Sequence, residues 1–248
     1  SAGPEHLPPL VFFHGWGGNA AATCFELDLL LLTQHFRIYS PDTIGQSGRS
    51  APNRPPTTGD AYGEWAVDVL DALAIDRTYV SGISGGGYLT LKLTSFAPKR
   101  VIKALPVSTA GLVSLMPPPL RFLLGAFPVG MWPNAANARR FINAATSPRV
   151  PRTTHHEDAA QFMQRLFKHY RFANGPSLIS DQQLQRITSP TYVLMGCDDV
   201  ACNPTKSIER AMRLIRGVQT ELLPDAGHML TLDHPGLVEQ RMVAFFAD

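Results

Sequence analysis

Five residues at the junction between an apolar strand and a helical stretch, Gly82-Ile83-Ser84-Gly85-Gly86, constrain the fold of this chain more than anything else in it. The pattern is G-x-S-x-G. Held on a tight strand-to-helix turn, the serine takes a strained backbone and lifts its hydroxyl above the sheet. Glycine two residues to either side avoids collision with the crossing elements. Such a turn needs a strand that runs directly into a helix, and the sequence supplies that unit repeatedly. Apolar runs at residues 10–13, 37–40, 78–81 and 101–107 alternate with helical stretches at 21–34, 66–73 and 84–97. This alternation predicts an α/β fold with a mostly parallel sheet flanked by helices on both faces.

Beyond Gly111 the rhythm breaks. Pro117-Pro118-Pro119, Pro128 and Pro133 punctuate helical fragments at 135–145 and 157–170. Alternation then returns with a strand at 191–195, a helix capped by Asn203 with Pro204 after it and stopped by Gly217, a strand at 218–223 and a last helix at 235–246. The chain thus divides into a core of residues 1–111 and 186–248 and a helical insertion at 112–185. That insertion holds eight Arg and Lys against three Asp and Glu, a net +5 in a chain whose overall charge is +2. A solvated basic helix surface is the plain reading of those residues, and a dock for an acidic substrate or carrier is the alternative.

With 248 residues, 44% of them hydrophobic and 17% charged, the chain can bury an enzyme-sized core, which excludes a disordered tail or a disulfide-stapled miniprotein. A balance of +2 gives no general attraction to nucleic acid or an anionic membrane. The longest apolar runs fall far short of the roughly 20 residues of a membrane span. Three cysteines, Cys24, Cys197 and Cys202, cannot complete a disulfide framework, although Cys197 and Cys202 are near enough in sequence for a local bridge. Free thiols in a reducing compartment, the cytoplasm, are the expectation. The opening at Ser1 rather than methionine leaves location weakly constrained.

A serine hydroxyl is a weak nucleophile near neutral pH and needs a general base oriented by a third group. His228 is the candidate base. It follows the last strand in Pro224-Asp225-Ala226-Gly227-His228, on a loop that a parallel sheet delivers to the same carboxyl edge as Ser84. The orienting acid is expected after the strand at 191–195, where Gly196-Cys197-Asp198-Asp199 offers two adjacent carboxylates pointing in different directions. Asp199 is preferred, Asp198 is the reserve, and Asp225 is a poorer third because it shares a turn with His228. The chain order Ser84, Asp199, His228 is that of serine hydrolases built on a nucleophile elbow.

On these residues the sequence resembles the α/β-hydrolase superfamily, in particular its capped carboxylesterase and lipase-like members. His14-Gly15-Trp16-Gly17-Gly18 is similar to the family's oxyanion loop, and Asp42-Thr43-Ile44-Gly45-Gln46-Ser47-Gly48-Arg49-Ser50 to its DxxGxGxS segment. The resemblance covers nearly all of the chain outside the insertion. It implies Ser84 as nucleophile, Asp199 as acid, His228 as base, and the backbone N–H groups of Trp16 and Gly85 as oxyanion hole. His14, Gly15, Met116, Phe127, Trp132 and Met229 are the expected substrate-binding residues, with the insertion acting as a cap over an apolar acyl pocket. The implied activity is hydrolysis of short- to medium-chain carboxylic esters, with no cofactor or metal and a small-molecule ester as partner. Two departures stand out. Only about nine residues precede the first strand, so the family's N-terminal hairpin is short or missing, and an open sheet edge of that kind invites a homodimer. Gly85 replaces the bulkier residue that often follows the nucleophile, which predicts a roomier acyl floor and a less rigidly held N–H.

Three other readings compete. Related serine chemistries, including lactone, thioester, carrier-ester or C–C bond hydrolysis, perhydrolysis and hydroxynitrile cleavage, share the triad, and a non-catalytic ligand receptor would share the fold. Gly15-Trp16-Gly17-Gly18-Asn19-Ala20, with Asp42 at the end of the next strand, also sketches a dinucleotide-binding signature, which would make the chain an oxidoreductase and leave the triad a coincidence. His155-His156-Glu157-Asp158 looks metal-like but lacks the i, i+4 histidine pair, and reads as the opening of a helix.

Overall fold

The computed structural model describes residues 1–114, 120–172 and 175–247. Strand β1 (Pro9–Phe13) shows why the short apolar runs become sheet. Leu10 and Phe12 pack into one buried cluster while Val11 and Phe13 pack into another, so alternate side chains feed the two faces of a sheet covered on both sides. The described strands form one six-stranded sheet in the order β2-β1-β3-β4-β5-β6, every neighbouring pair parallel. Its members are β2 (Arg37–Tyr39), β3 (Thr78–Ile83), β4 (Val101–Val107), β5 (Tyr192–Gly196) and β6 (Gln219–Leu223). Chain order turns back between β1 and β3, and a crevice opens at that switch point over the carboxyl ends of the strands.

At the open flank of β2, Ala2 makes a single antiparallel bridge to Ile38. No further strand lies outside β2 among the described residues.

Helices α3 (Ala61–Ala72), α4 (Gly85–Phe96) and α9 (Pro204–Leu214) contribute to one cluster, α11 (Leu237–Ala247) to the other. Asn203 caps α9 through Lys206 N–H with Pro204 behind it, and Gly217 ends that segment at a positive φ of 68°. Between β4 and β5 lie α5 (Leu120–Met131), α6 (Ala135–Ala145), α7 (Thr154–His169) and the short α8 (Asp181–Gln185). The first three surround a cluster of their own that includes Val129, Phe141, Ile142 and Ala160 together with Leu232.

Two helical expectations are corrected. The stretch 21–34 is not continuous but a 3-10 turn at Ala20–Ala22, then α1 (Thr23–Glu26) and α2 (Leu29–Leu32). Leu27 is extended, and the Asp28 carboxylate accepts from Leu31 N–H at 3.1 Å, so a side-chain cap stops one helix and starts the next. The last helix, expected at 235–246, is α11, and a separate short helix, α10 (Leu230–Asp233), precedes it with Gly236 at φ 81° between them. Helix α7 starts three residues earlier than predicted, and Thr153 N–H donates to His156 Nδ1, which accounts for the His155-His156 pair as a helix start. No described helix is long and apolar enough to cross a membrane, and all three cysteines are free, so Cys197 and Cys202 do not pair.

Candidate active site

Ser84 sits at φ 58° and ψ −111°, a conformation a non-glycine residue rarely adopts. Its backbone is held there by hydrogen bonds: Ser84 N–H donates to Val107 O, and Ser84 O accepts from Tyr88 and Ala110 N–H. The flanking glycines are sterically required. A Cβ on Gly82 would lie 2.5 Å from Gly86 C and 2.6 Å from Phe13 O, and one on Gly86 would overlap Phe13 O outright. The tight packing of strand, turn and helix therefore fixes where the serine oxygen points.

Loops after β3, β5 and β6 bring three side chains together. His228 Nε2 lies 2.8 Å from Ser84 Oγ, and His228 Nδ1 lies 2.9 and 3.1 Å from the two Asp199 oxygens. With the proton on Nδ1, where the carboxylate receives it, Nε2 is left to accept from the serine hydroxyl. Burial opposes a charge on His228, but the Asp199 charge and hydrogen bond outweigh it, and the imidazole pKa is raised above its ordinary value. Asp199 is itself anchored, Oδ1 accepting from Ala201 and Cys202 N–H at 2.8 and 2.9 Å.

Asp198 turns the other way. It accepts from Ser147 Oγ at 2.7 Å and faces Arg149, while Asp225 pairs with the same arginine. Asp233 supports the base loop from behind: its Oδ2 accepts from Gly227 and Ser147 N–H, both at 2.8 Å.

Trp16 and Gly85 face each other so closely that a Cβ on Gly85 would stand 2.5 Å from Trp16 Cβ and 2.6 Å from Trp16 N. The expected roomier floor is thus corrected: the Trp16 backbone occupies that space, and glycine is what lets the two N–H groups approach. Neither N–H has an acceptor among the described residues. The Trp16 loop is braced by Gly17 N–H donating to Gln46 Oε1 and Ser47 Oγ donating to Gly18 O.

His14 is placed in that bracing, not against substrate. Its Nδ1 donates to Gly15 O and its Nε2 accepts from Thr43 N–H, and burial lowers its pKa, so a neutral ring ties one loop to the other. Asp42 has the same kind of duty, accepting from Ala20 and Arg49 N–H. After Gly15-Trp16-Gly17-Gly18 the chain makes a three-residue 3-10 turn, not the long helix of a dinucleotide site.

A cavity of about 400 Å³ opens over Ser84 and His228. Gly15, Trp16 and Met229 line it, as expected. Phe127 and Trp132 do not: they are 59% and 62% exposed, on the outer side of the segment that begins with α5, whose inner residues Phe122 and Ala126 reach the cavity. Helical phase explains the error, since Phe122 and Ala126 are one turn apart and Phe127 faces away. Met116 lies outside the described residues. Phe25 and Glu26 of α1 line the cavity unforeseen, Phe25 packing on Phe162 with ring centroids 5.0 Å apart. Their signal was hidden in the stretch read as one continuous helix.

Asp199, Cys202 and His228 also offer three donor atoms within 4.8 Å of one another. The arrangement fits a triad better than a metal centre. Asp199 and His228 satisfy each other, and burial beside Asp199 pushes the Cys202 thiol well up, against the thiolate a metal would need.

The profile described as "Alpha/beta hydrolase family" matches residues 10–241. Carboxylesterase YbfK of Bacillus subtilis (strain 168) is 28% identical over 99% of this chain and 82% of its own length. An uncharacterized carboxylesterase, nap, of the same strain is 26% identical over 99% and 81%. Among solved structures, that of naproxen esterase (carboxylesterase NP) from Bacillus subtilis superposes with a TM-score of 0.81 at 25% identity, covering 99% of this chain and 85% of that one.

Proposed function

The chain belongs to the alpha/beta hydrolase family, and from that premise we propose that it is a serine carboxylesterase that cleaves short- to medium-chain carboxylic esters through an acyl-Ser84 intermediate. One observation carries the reading: Ser84 Oγ lies 2.8 Å from an imidazole whose other nitrogen is held by a buried carboxylate, on the wall of a mostly apolar cavity. The proton passes to His228 Nε2 as Ser84 attacks the ester carbonyl. The oxyanion accepts from Trp16 and Gly85 N–H, each donor contributing on the order of 10²-fold or more in rate. Asp199 keeps the imidazole in the required tautomer and stabilises the cation. His228 then protonates the leaving alcohol, activates water, and acyl-Ser84 is hydrolysed.

In this reading residues 112–185 are a cap. Phe122, Phe141, Phe162 and Phe167 supply the apolar wall above Ser84, and a cavity of about 400 Å³ is toward the small end of ligand pockets, roughly 300–1,000 Å³. Among the described residues no lysine or arginine lines it, which favours an uncharged acyl group.

The test is turnover of p-nitrophenyl esters from acetate to dodecanoate by wild type and Ser84→Ala, with a fluorophosphonate label located by mass spectrometry. Turnover peaking at one chain length, lost in Ser84→Ala and matched by a label on Ser84, is the expected result. A folded protein with neither turnover nor label would overturn the reading.

A further inference from the structure

An acidic group on the cavity wall has no role in ester cleavage by the triad. Glu26 ends α1 and lines the cavity with Ala22, Phe25 and Phe162. Its Oε2 is buried, and among the described residues its carboxyl has no hydrogen bond and no ion pair. Buried carboxylates are nearly always paired, because stripping one of water without a partner is costly. The wall beside it, Ala22, Phe25 and Phe162, is apolar, Ser84 and His228 are committed to each other, and no described group of the wall, the Trp16 indole and the Thr231 hydroxyl included, bonds to the carboxyl.

Resting on the esterase reading, we infer that Glu26 is a specificity-determining residue that accepts a hydrogen bond from a hydroxyl carried by the substrate, so that the preferred ester is hydroxylated and not plain alkyl. The class follows from the wall. A carboxylate-bearing substrate would set two anions in a cavity whose described lining holds no lysine or arginine. An ammonium would form a charged pair stripped of water, where desolvation offsets much of the attraction. A neutral hydroxyl suits the carboxyl in both of its protonation states, and both are populated near neutrality because burial raises the Glu26 pKa to about 7. A site that hydrogen-bonds a substrate hydroxyl discriminates against the analogue lacking it, since its own polar group is then left unpaired.

The experiment compares kcat/KM at pH 7 for p-nitrophenyl hexanoate, its 2-, 3- and 6-hydroxy analogues, the 6-amino analogue and the adipate monoester, on wild type, Glu26→Gln and Glu26→Leu. In wild type at least one hydroxy ester should exceed hexanoate by about tenfold, the effect of one well-placed hydrogen bond. Glu26→Gln, whose amide oxygen still accepts, should keep most of that ratio. Glu26→Leu should bring it to one or below and restore turnover of the adipate ester. Dissociation constants of the same esters for Ser84→Ala and Ser84→Ala/Glu26→Leu read binding without turnover. Equal affinity for hydroxylated and plain esters, ratios that do not respond to Glu26→Leu, or preference for the amino ester would overturn this inference. A wild type that turns over no ester would sink the esterase reading alone, leaving the binding constants to decide this one.

Discussion

Glu26→Gln should stabilise the protein far more at pH 8 than at pH 5. In the folded chain burial raises the Glu26 pKa from 4.5 to about 7, with no partner offsetting the desolvation. Below pH 4.5 the carboxyl is protonated in both folded and unfolded chains and contributes nothing. As pH rises, the unfolded chain ionises first, the folded state holds the extra proton, and stability falls until about pH 7, where the folded carboxyl also ionises. A gap of that size corresponds to about 3 kcal/mol of destabilisation at high pH, most of which develops between pH 5 and pH 8. Replacing Glu26 by Gln removes the titration, while the cost of burying an amide is the same at both pH values and cancels in the difference. The assay is urea unfolding of wild type and variant at pH 5 and pH 8, with equal m-values as the condition for comparing them. A change in the mutational effect between the two pH values smaller than about 0.5 kcal/mol would show that the carboxyl is hydrated or paired in solution, and the reasoning from burial would fail.

Four further outcomes are expected. Asp199→Asn should lower kcat by roughly 10⁴-fold by losing the tautomer control, and should move the acid limb of kcat/KM to lower pH. That limb reports deprotonation of His228, whose pKa Asp199 raises in wild type, as a pH–rate profile will show. Ser84→Gly should abolish turnover yet raise stability by about 1 kcal/mol, because glycine adopts φ 58° without strain; Ser84→Ala, which keeps the strain, should not, and differential unfolding separates the two. Gly86→Ala should cost about 3 kcal/mol or more, since the new methyl overlaps the Phe13 carbonyl oxygen, and should show as loss of folded protein by circular dichroism. Phe162→Ala should shift the acyl chain-length optimum upward, whereas exposed Trp132→Ala should leave the turnover profile in place.

The sheet was legible because its signals are local. Runs such as 10–13 and 191–195 place side chains on both faces, and Pro9, Gly15, Pro190 and Gly196 mark their ends. The G-x-S-x-G turn likewise announced its own geometry, and order along the chain was enough to single out His228. Choosing Asp199 over Asp198 was a weaker inference, since both occupy one loop; Ser147 and Arg149, which draw Asp198 away, come from a segment some fifty residues distant. What stayed hidden depends on phase and on breaks inside apparently regular stretches. Leu27 interrupts a helical pattern without glycine or proline, so nothing in the sequence set Glu26 apart. A one-residue difference in phase on α5 separates Ala126, which faces the cavity, from Phe127, which faces solvent. Similarly, the role of His14 depends on Thr43, whose backbone only tertiary structure brings near.

The hydrogen bond between Ser84 and His228 joins residues 144 apart in sequence, and its geometry needs strands β3, β5 and β6 all in register. Closing so long a loop is entropically costly and comes late in folding, because nearby contacts form before distant ones. On the esterase reading Ser84 is thus a reporter of the finished topology: a chain collapsed with native-like helices but an incomplete sheet should carry an inert Ser84. Labelling of that residue during refolding would then count native molecules alone, and its time course should lag behind the recovery of helical signal.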